Sequence, residues 1–131
     1  MRALSLDKRH QVQLDCDTDT PKTTFTIRPL STRELAKCKD VATSFKAPAT
    51  QDAAQAQRAA GAVDAQFNPN TAAYEIARLG VVGWSGMKGE GDLEFAFTGP
   101  QSVDSLPLEA VRELSIKIEG LSNLSEAEAK L

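Results

Sequence analysis

Alternation of apolar and polar positions opens the chain. Gln11-Val-Gln-Leu-Asp places Val12 and Leu14 on one face, and Thr23-Thr-Phe-Thr-Ile-Arg-Pro-Leu does the same with Phe25 and Ile27. A period of two, with β-branched residues, predicts two strands. Between them lies Cys16 to Lys22, closed by Pro21, which cannot sit inside a paired strand. The stretch predicts a hairpin with an acidic loop.

The period then lengthens. Ser31-Thr-Arg-Glu is a capping box, in which the Ser31 hydroxyl and the Glu34 carboxylate satisfy each other's backbone amides. Leu35, Cys38, Val41, Ala42 and Phe45 follow at helical spacing and predict an amphipathic helix over 32–45. Pro48 ends it. In residues 46–65 nine of twenty are alanine, joined by Gln51, Gln55 and Gln57. Alanine favours helix, but little here is large enough to bury. This segment, 46–66, reads as a mobile helix, an arm ordered by a partner or a linker. Asn68-Pro-Asn70 is a break.

A second helix is predicted from Thr71 to Val82, with Ile76 and Leu79 inward. Six of the eight glycines fall between positions 80 and 99, which predicts a loop or a reversal needing positive φ at several points. Leu93-Glu-Phe-Ala-Phe-Thr alternates again, with Leu93, Phe95 and Phe97 inward, and predicts a third strand over 93–98. Pro107 suits the first turn of a helix. Val111, Leu114, Ile118 and Leu121 then recur at helical spacing, with Gly120 where a C-terminal cap would fall. Ser125-Glu-Ala-Glu is a second capping box. The fold class is α+β: one domain over 1–131, with a small antiparallel sheet (the N-terminal hairpin plus one later strand) and three or four helices.

Composition changes this picture in one respect. Hydrophobic residues make up 41% of the 131, but nineteen of them are alanine and only seven residues are aromatic. The core should be thin, or completed by neighbouring subunits. The net charge of −3 carries no basic block, so no nucleic-acid footprint is expected. The opening residues are too short and too charged for a signal peptide, and no run approaches the roughly 20 apolar residues of a membrane helix. Cys16 and Cys38 read as structural thiols.

Candidate chemistry is sparse. Asp15, Asp17 and Asp19 alternate like the first ligands of a calcium loop. Counting from Asp15, however, Thr20 and Thr26 stand where Gly and the bidentate Glu are required. A phosphatase-type Asp-x-Asp loop would want Thr or Val where Asp19 stands. Gly83-Trp-Ser-Gly-Met lacks the second glycine of a nucleophile elbow, since Met87 is there. His10, the sole histidine, is the only conventional base for Ser85. The glycine run leads to a strand and lacks the Gly-Lys-Ser/Thr ending of a phosphate loop. No catalytic, cofactor-binding or metal-ligating residue is assigned, no cofactor is expected and no small-molecule substrate is evident. A small metal-dependent hydrolase remains as a distant alternative. Trp84, beside glycines, is either a core anchor or an interface contact.

Three stretches together resemble a known group: Phe25-Thr-Ile-Arg-Pro-Leu-Ser-Thr-Arg-Glu-Leu, Ala77-Arg-Leu-Gly-Val-Val-Gly-Trp, and Leu106-Pro-Leu-Glu-Ala-Val-Arg-Glu-Leu running on to Leu121-Ser-Asn-Leu-Ser-Glu-Ala-Glu. This order is similar to small tailed-bacteriophage morphogenesis proteins, either tail assembly chaperones or virion structural proteins. Ser85 to Gly91 fits the polar turn that follows the Trp in many of them. The Ala/Gln stretch and the acidic hairpin depart from the group. The resemblance implies a non-enzymatic oligomeric protein that binds phage structural subunits or its own copies. It would act in the host cytoplasm during assembly, or as a head, neck or tail component of the virion. The interface residues expected on this reading are Trp84, Met87, Leu124 and Leu131.

Overall fold

A computed structural model describes residues 3–45 and 65–123. Strand β1 (His10–Val12) pairs antiparallel with β2 (Thr24–Ile27), as the alternation predicts. Phe25 and Ile27 point into the core, while Thr24 and Thr26 are half-buried on the other face.

Helix α1 (Thr32–Ala42) begins at the expected capping box. The Glu34 amide donates to Ser31 Oγ (3.1 Å), and the Ser31 amide donates to Glu34 Oε1 (3.1 Å). The helix stops at Ala42, not at 45, and leaves Val41 54% exposed. Thr43 to Phe45 instead form β3, which pairs with β4 (Ala65–Phe67). The Asn68 amide closes this ladder on the Ala42 carbonyl at 2.9 Å. Inter-strand bonds here outcompete a further helical turn.

Helix α2 (Pro69–Gly80) starts two residues before the predicted Thr71. Asn68 Oδ1 accepts from the Asn70 and Thr71 amides, and Pro69 fills the first position, where an N–H would have no helical partner. Its inner face is mostly alanine (Ala72, Ala73, Ala77), with Ile76. That lets helix α3 (Leu108–Asn123) approach closely, with Leu114 and Ile118 fully buried. Gly120 lies inside α3 and does not cap it. The helix runs on to Asn123, and Ser122 Oγ accepts the Leu30 amide at 2.9 Å.

The third strand is not where alternation places it. It is β5 (Val81–Ser85), directly after α2 and antiparallel to β2, giving the order β1-β2-β5. Val81, Val82 and Trp84 favour extended backbone, and Gly83 faces open space that needs no side chain. Residues 93–98 form only one bridge, Lys88 with Glu94. Their alternation reflects the Phe95 and Phe97 rings laid on Trp84; Leu93 and Phe95, expected inward, are exposed, Leu93 at 73%. The predicted positive φ angles are present at Gly86, Gly91 and Gly99. Two 3₁₀ turns, Glu90–Asp92 and Pro100–Ser105, complete the path to α3.

The class is α+β. Among the residues whose burial is described, Phe25 is the one buried aromatic, and the rest of the core is aliphatic. No helix among them is long and apolar enough to cross a membrane. The Ala/Gln segment and the second capping box lie outside the described residues.

One ion pair joins sheet to helix. The Arg28 guanidinium meets Glu34 in a fork, with Nη1 to Oε1 at 3.1 Å and Nη2 to Oε2 at 2.7 Å. These bonds, helped by the Ser31 amide against partial burial, lower the Glu34 carboxyl from 4.5 to about 2. A carboxyl depressed on folding stabilises above its unfolded value and loses that contribution as pH falls through its folded value. The loss should therefore run from about pH 4.5 down to about 2. Because Glu34 is 29% exposed, solvent moderates the effect. Melting temperature followed from pH 6 to 2.5 should fall less steeply below 4.5 in Glu34→Gln, which keeps the capping reach without the charge. An identical acid slope in both proteins would mean the pair contributes nothing.

Candidate functional site

The acidic loop is built by its own carboxylates. Asp17 Oδ1 accepts the Asp19 amide (3.0 Å) and Oδ2 accepts the Thr23 amide (2.8 Å). Asp17 thus closes the turn. From the far end of the chain, Glu113 on α3 accepts the amides of Asp15 (2.6 Å) and Cys16 (3.0 Å). Burial opposes its ionisation, but these amide bonds outweigh it and hold the Glu113 carboxyl below the usual range. The same carboxylate, after burial, pushes the Cys16 thiol up. Burial does the same at Cys38. Both shifts run against the thiolate that a nucleophile needs.

His10 and Ser85 do not meet. They lie on the two outer strands, opposite Ile27 and Thr24 respectively, which separates their Cα atoms by on the order of 14 Å. Among the described residues no group of three His, Cys, Asp or Glu side chains is placed to hold a metal ion.

The glycine-rich loop docks against this hairpin. Gly86 has φ of +77°, where a side chain would be strained, and its carbonyl accepts the Thr23 hydroxyl at 3.3 Å. Trp84 fixes the returning strip. Its indole lies 5.8 Å from the Phe25 ring, 5.9 Å from Phe95 and 5.0 Å from Phe97, centre to centre. Its Nε1–H donates to the Phe95 carbonyl at 2.7 Å. The Phe95 amide in turn donates to the Met87 carbonyl at 2.8 Å. Trp84 is half-buried and supports the loop from beneath, while Leu93 and Phe95 face outward.

Hairpin, glycine loop and the start of α3 enclose an open groove of about 410 Å³. Leu14, Phe25 and Ala110 form its apolar floor, and Met87 and Leu106 its walls. Asp17, Asp19, Glu109 and Lys88 stand around it. Of the four expected interface residues, Met87 lines this groove and Trp84 lies under the adjoining strip. Leu124 and Leu131 lie outside the described residues. Sequence patterns single out the acidic loop and the glycine loop separately. No spacing could link them to Glu109, more than ninety positions from Asp17, and none marked Leu93 as exposed.

No family model, curated protein or solved structure matches the chain.

Proposed function

We infer that the protein is a non-enzymatic assembly protein of a tailed bacteriophage, binding other structural subunits in the manner of a tail assembly chaperone. The observation that carries the binding role is the open groove, part apolar and part acidic, with Leu93 and Phe95 exposed beside it. A surface of this kind, rimmed by polar groups, suits a protein contact. The phage setting rests on the resemblance, and the described parts of its three stretches meet in space. The Arg28 amide donates to the Gly80 carbonyl at 2.9 Å, and the Leu30 amide to Ser122 Oγ. They form one scaffold that presents the loops.

The test uses the structural subunits of the phage that encodes the chain. Each is purified and titrated against the full-length protein, and mature particles are analysed by mass spectrometry. Association with a tail subunit, with the protein absent from particles, supports the chaperone role and places it in the host cytoplasm. Association together with presence in particles makes it a virion component. No association with any structural subunit at about 100 μM, where even weak specific contacts would register, overturns the proposal.

A further inference from the structure

We propose that the groove receives a basic, apolar-anchored segment of a partner protein: one apolar side chain against Met87 and Leu106, with an adjacent Lys or Arg facing Asp19 and Glu109. This rests on the subunit-binding reading and names the chemistry of the partner. Charge complementarity selects the occupant. Three carboxylates face the groove, those of Asp17, Asp19 and Glu109, against the single cation of Lys88. Asp17 is engaged by two amides, while neither Asp19 nor Glu109 has an ion-pair partner among the described residues. Of the other lysines on these elements, Lys22 donates to the Leu14 carbonyl (3.2 Å) and Lys117 stands 3.8 Å from Glu113. A cation brought to the rim relieves this excess, whereas a phosphate backbone is repelled.

Shape argues for a chain segment over a small amine. The Thr23 hydroxyl is engaged by Gly86 and the Asp17 carboxylate by its own loop. Neither is left to orient a compact polar molecule. The apolar surface also continues past the groove, from Met87 to Phe95 and Leu93, two residues whose exposure gives a longer ligand something to cover. Apolar contact would supply affinity, and the carboxylates would supply orientation and association rate.

The probe is an array of octapeptides, each carrying Leu, Phe or Met beside two residues that are both Lys/Arg, both Glu or both Ser. Binding to labelled full-length protein is read at 50 and 300 mM NaCl, and the best binders are measured by fluorescence anisotropy. Bound peptides should be enriched in the Lys/Arg set and weaken with salt. The double variant Asp19→Asn, Glu109→Gln should bind them about fivefold more weakly, the scale of two partly exposed charge pairs. It should also flatten the salt dependence and leave the melting temperature unchanged. Met87→Ser should weaken all sets. No binding, equal binding of the Glu set, or indifference to the double variant overturns the inference. If a phage subunit binds wild type and double variant alike, the groove assignment fails and subunit binding stands. If basic peptides bind as expected but no structural subunit does, the groove stands and the phage role fails.

Discussion

Gly80→Ala should lower the unfolding free energy by about 1–3 kcal/mol, the usual effect of overpacking a filled core. Helix propensity argues the other way, since alanine in a helix is favoured over glycine by up to about 1 kcal/mol. Space decides the sign. A Cβ at Gly80 would lie 2.5 Å from Ile118 Cδ1, 2.7 Å from Cγ2 and 2.9 Å from Cγ1. Ile118 is fully buried at 0% exposure, so its whole side chain would have to withdraw into occupied volume or α2 would have to shift. A shift would also disturb the bond from the Arg28 amide to the Gly80 carbonyl. Urea unfolding should show a lower midpoint with an unchanged slope. Ile118→Val keeps both branch carbons and should not rescue. Ile118→Ala alone should cost about 2–5 kcal/mol, and the double variant should be less unstable than the sum by about 1 kcal/mol or more, as for residues in contact. Strict additivity would mean that Gly80 and Ile118 do not compete for space.

The elements legible in the sequence are those whose causes are local. Ser31 and Glu34 are three positions apart and mark the start of α1 unaided. Val111, Leu114 and Ile118 mark the buried stripe of α3, and Phe25 and Ile27 the inner face of β2. The α+β class follows from these. The third strand was not legible, because glycine at 80, 83 and 86 outweighs Val81 and Val82 in any local count. What makes 81–85 a strand is β2 alongside it. The alternation of Leu93, Phe95 and Phe97 is genuine, but only Phe95 and Phe97 pack on Trp84, a neighbour that period alone cannot reveal, and Leu93 is left exposed. Asp17 shows how far local reasoning goes. Its tendency to form a turn is legible, and its bond to the Thr23 amide lies within reach of that reasoning. The Glu113 clamp on Asp15 and Cys16 does not, because it depends on how α3 packs. The groove is the extreme case, with walls from three regions that only the tertiary fold assembles.

Trp84→Ala should destabilise the fold and weaken association together. The indole is half-buried against three rings, so the loss should be near the lower end of large aromatic truncations, about 3 kcal/mol. For a chain of this size that is roughly a 10 °C drop in melting temperature. It also frees the Phe95 carbonyl and with it the strip carrying Leu93 and Phe95, so binding should fall even in molecules that remain folded. Two further variants separate support from contact. Trp84→Phe keeps a ring against Phe25 and Phe97 but removes the N–H donor, and should cost about 1 kcal/mol. Leu93→Ser changes a 73% exposed side chain and should leave stability within about 0.5 kcal/mol. If the strip is the contact surface, the same change should weaken subunit binding by about 2 kcal/mol, a hot-spot loss. Melting curves and titration against a bound subunit read both quantities. Destabilisation in the Trp84 variants but not in Leu93→Ser, with weakened binding in both Trp84→Ala and Leu93→Ser, means that Trp84 holds the strip and the strip makes the contact. Weakened binding in Trp84→Ala at an unchanged melting temperature would instead make the indole itself the anchor. Binding that survives all three substitutions would remove the glycine-rich loop from the interface altogether.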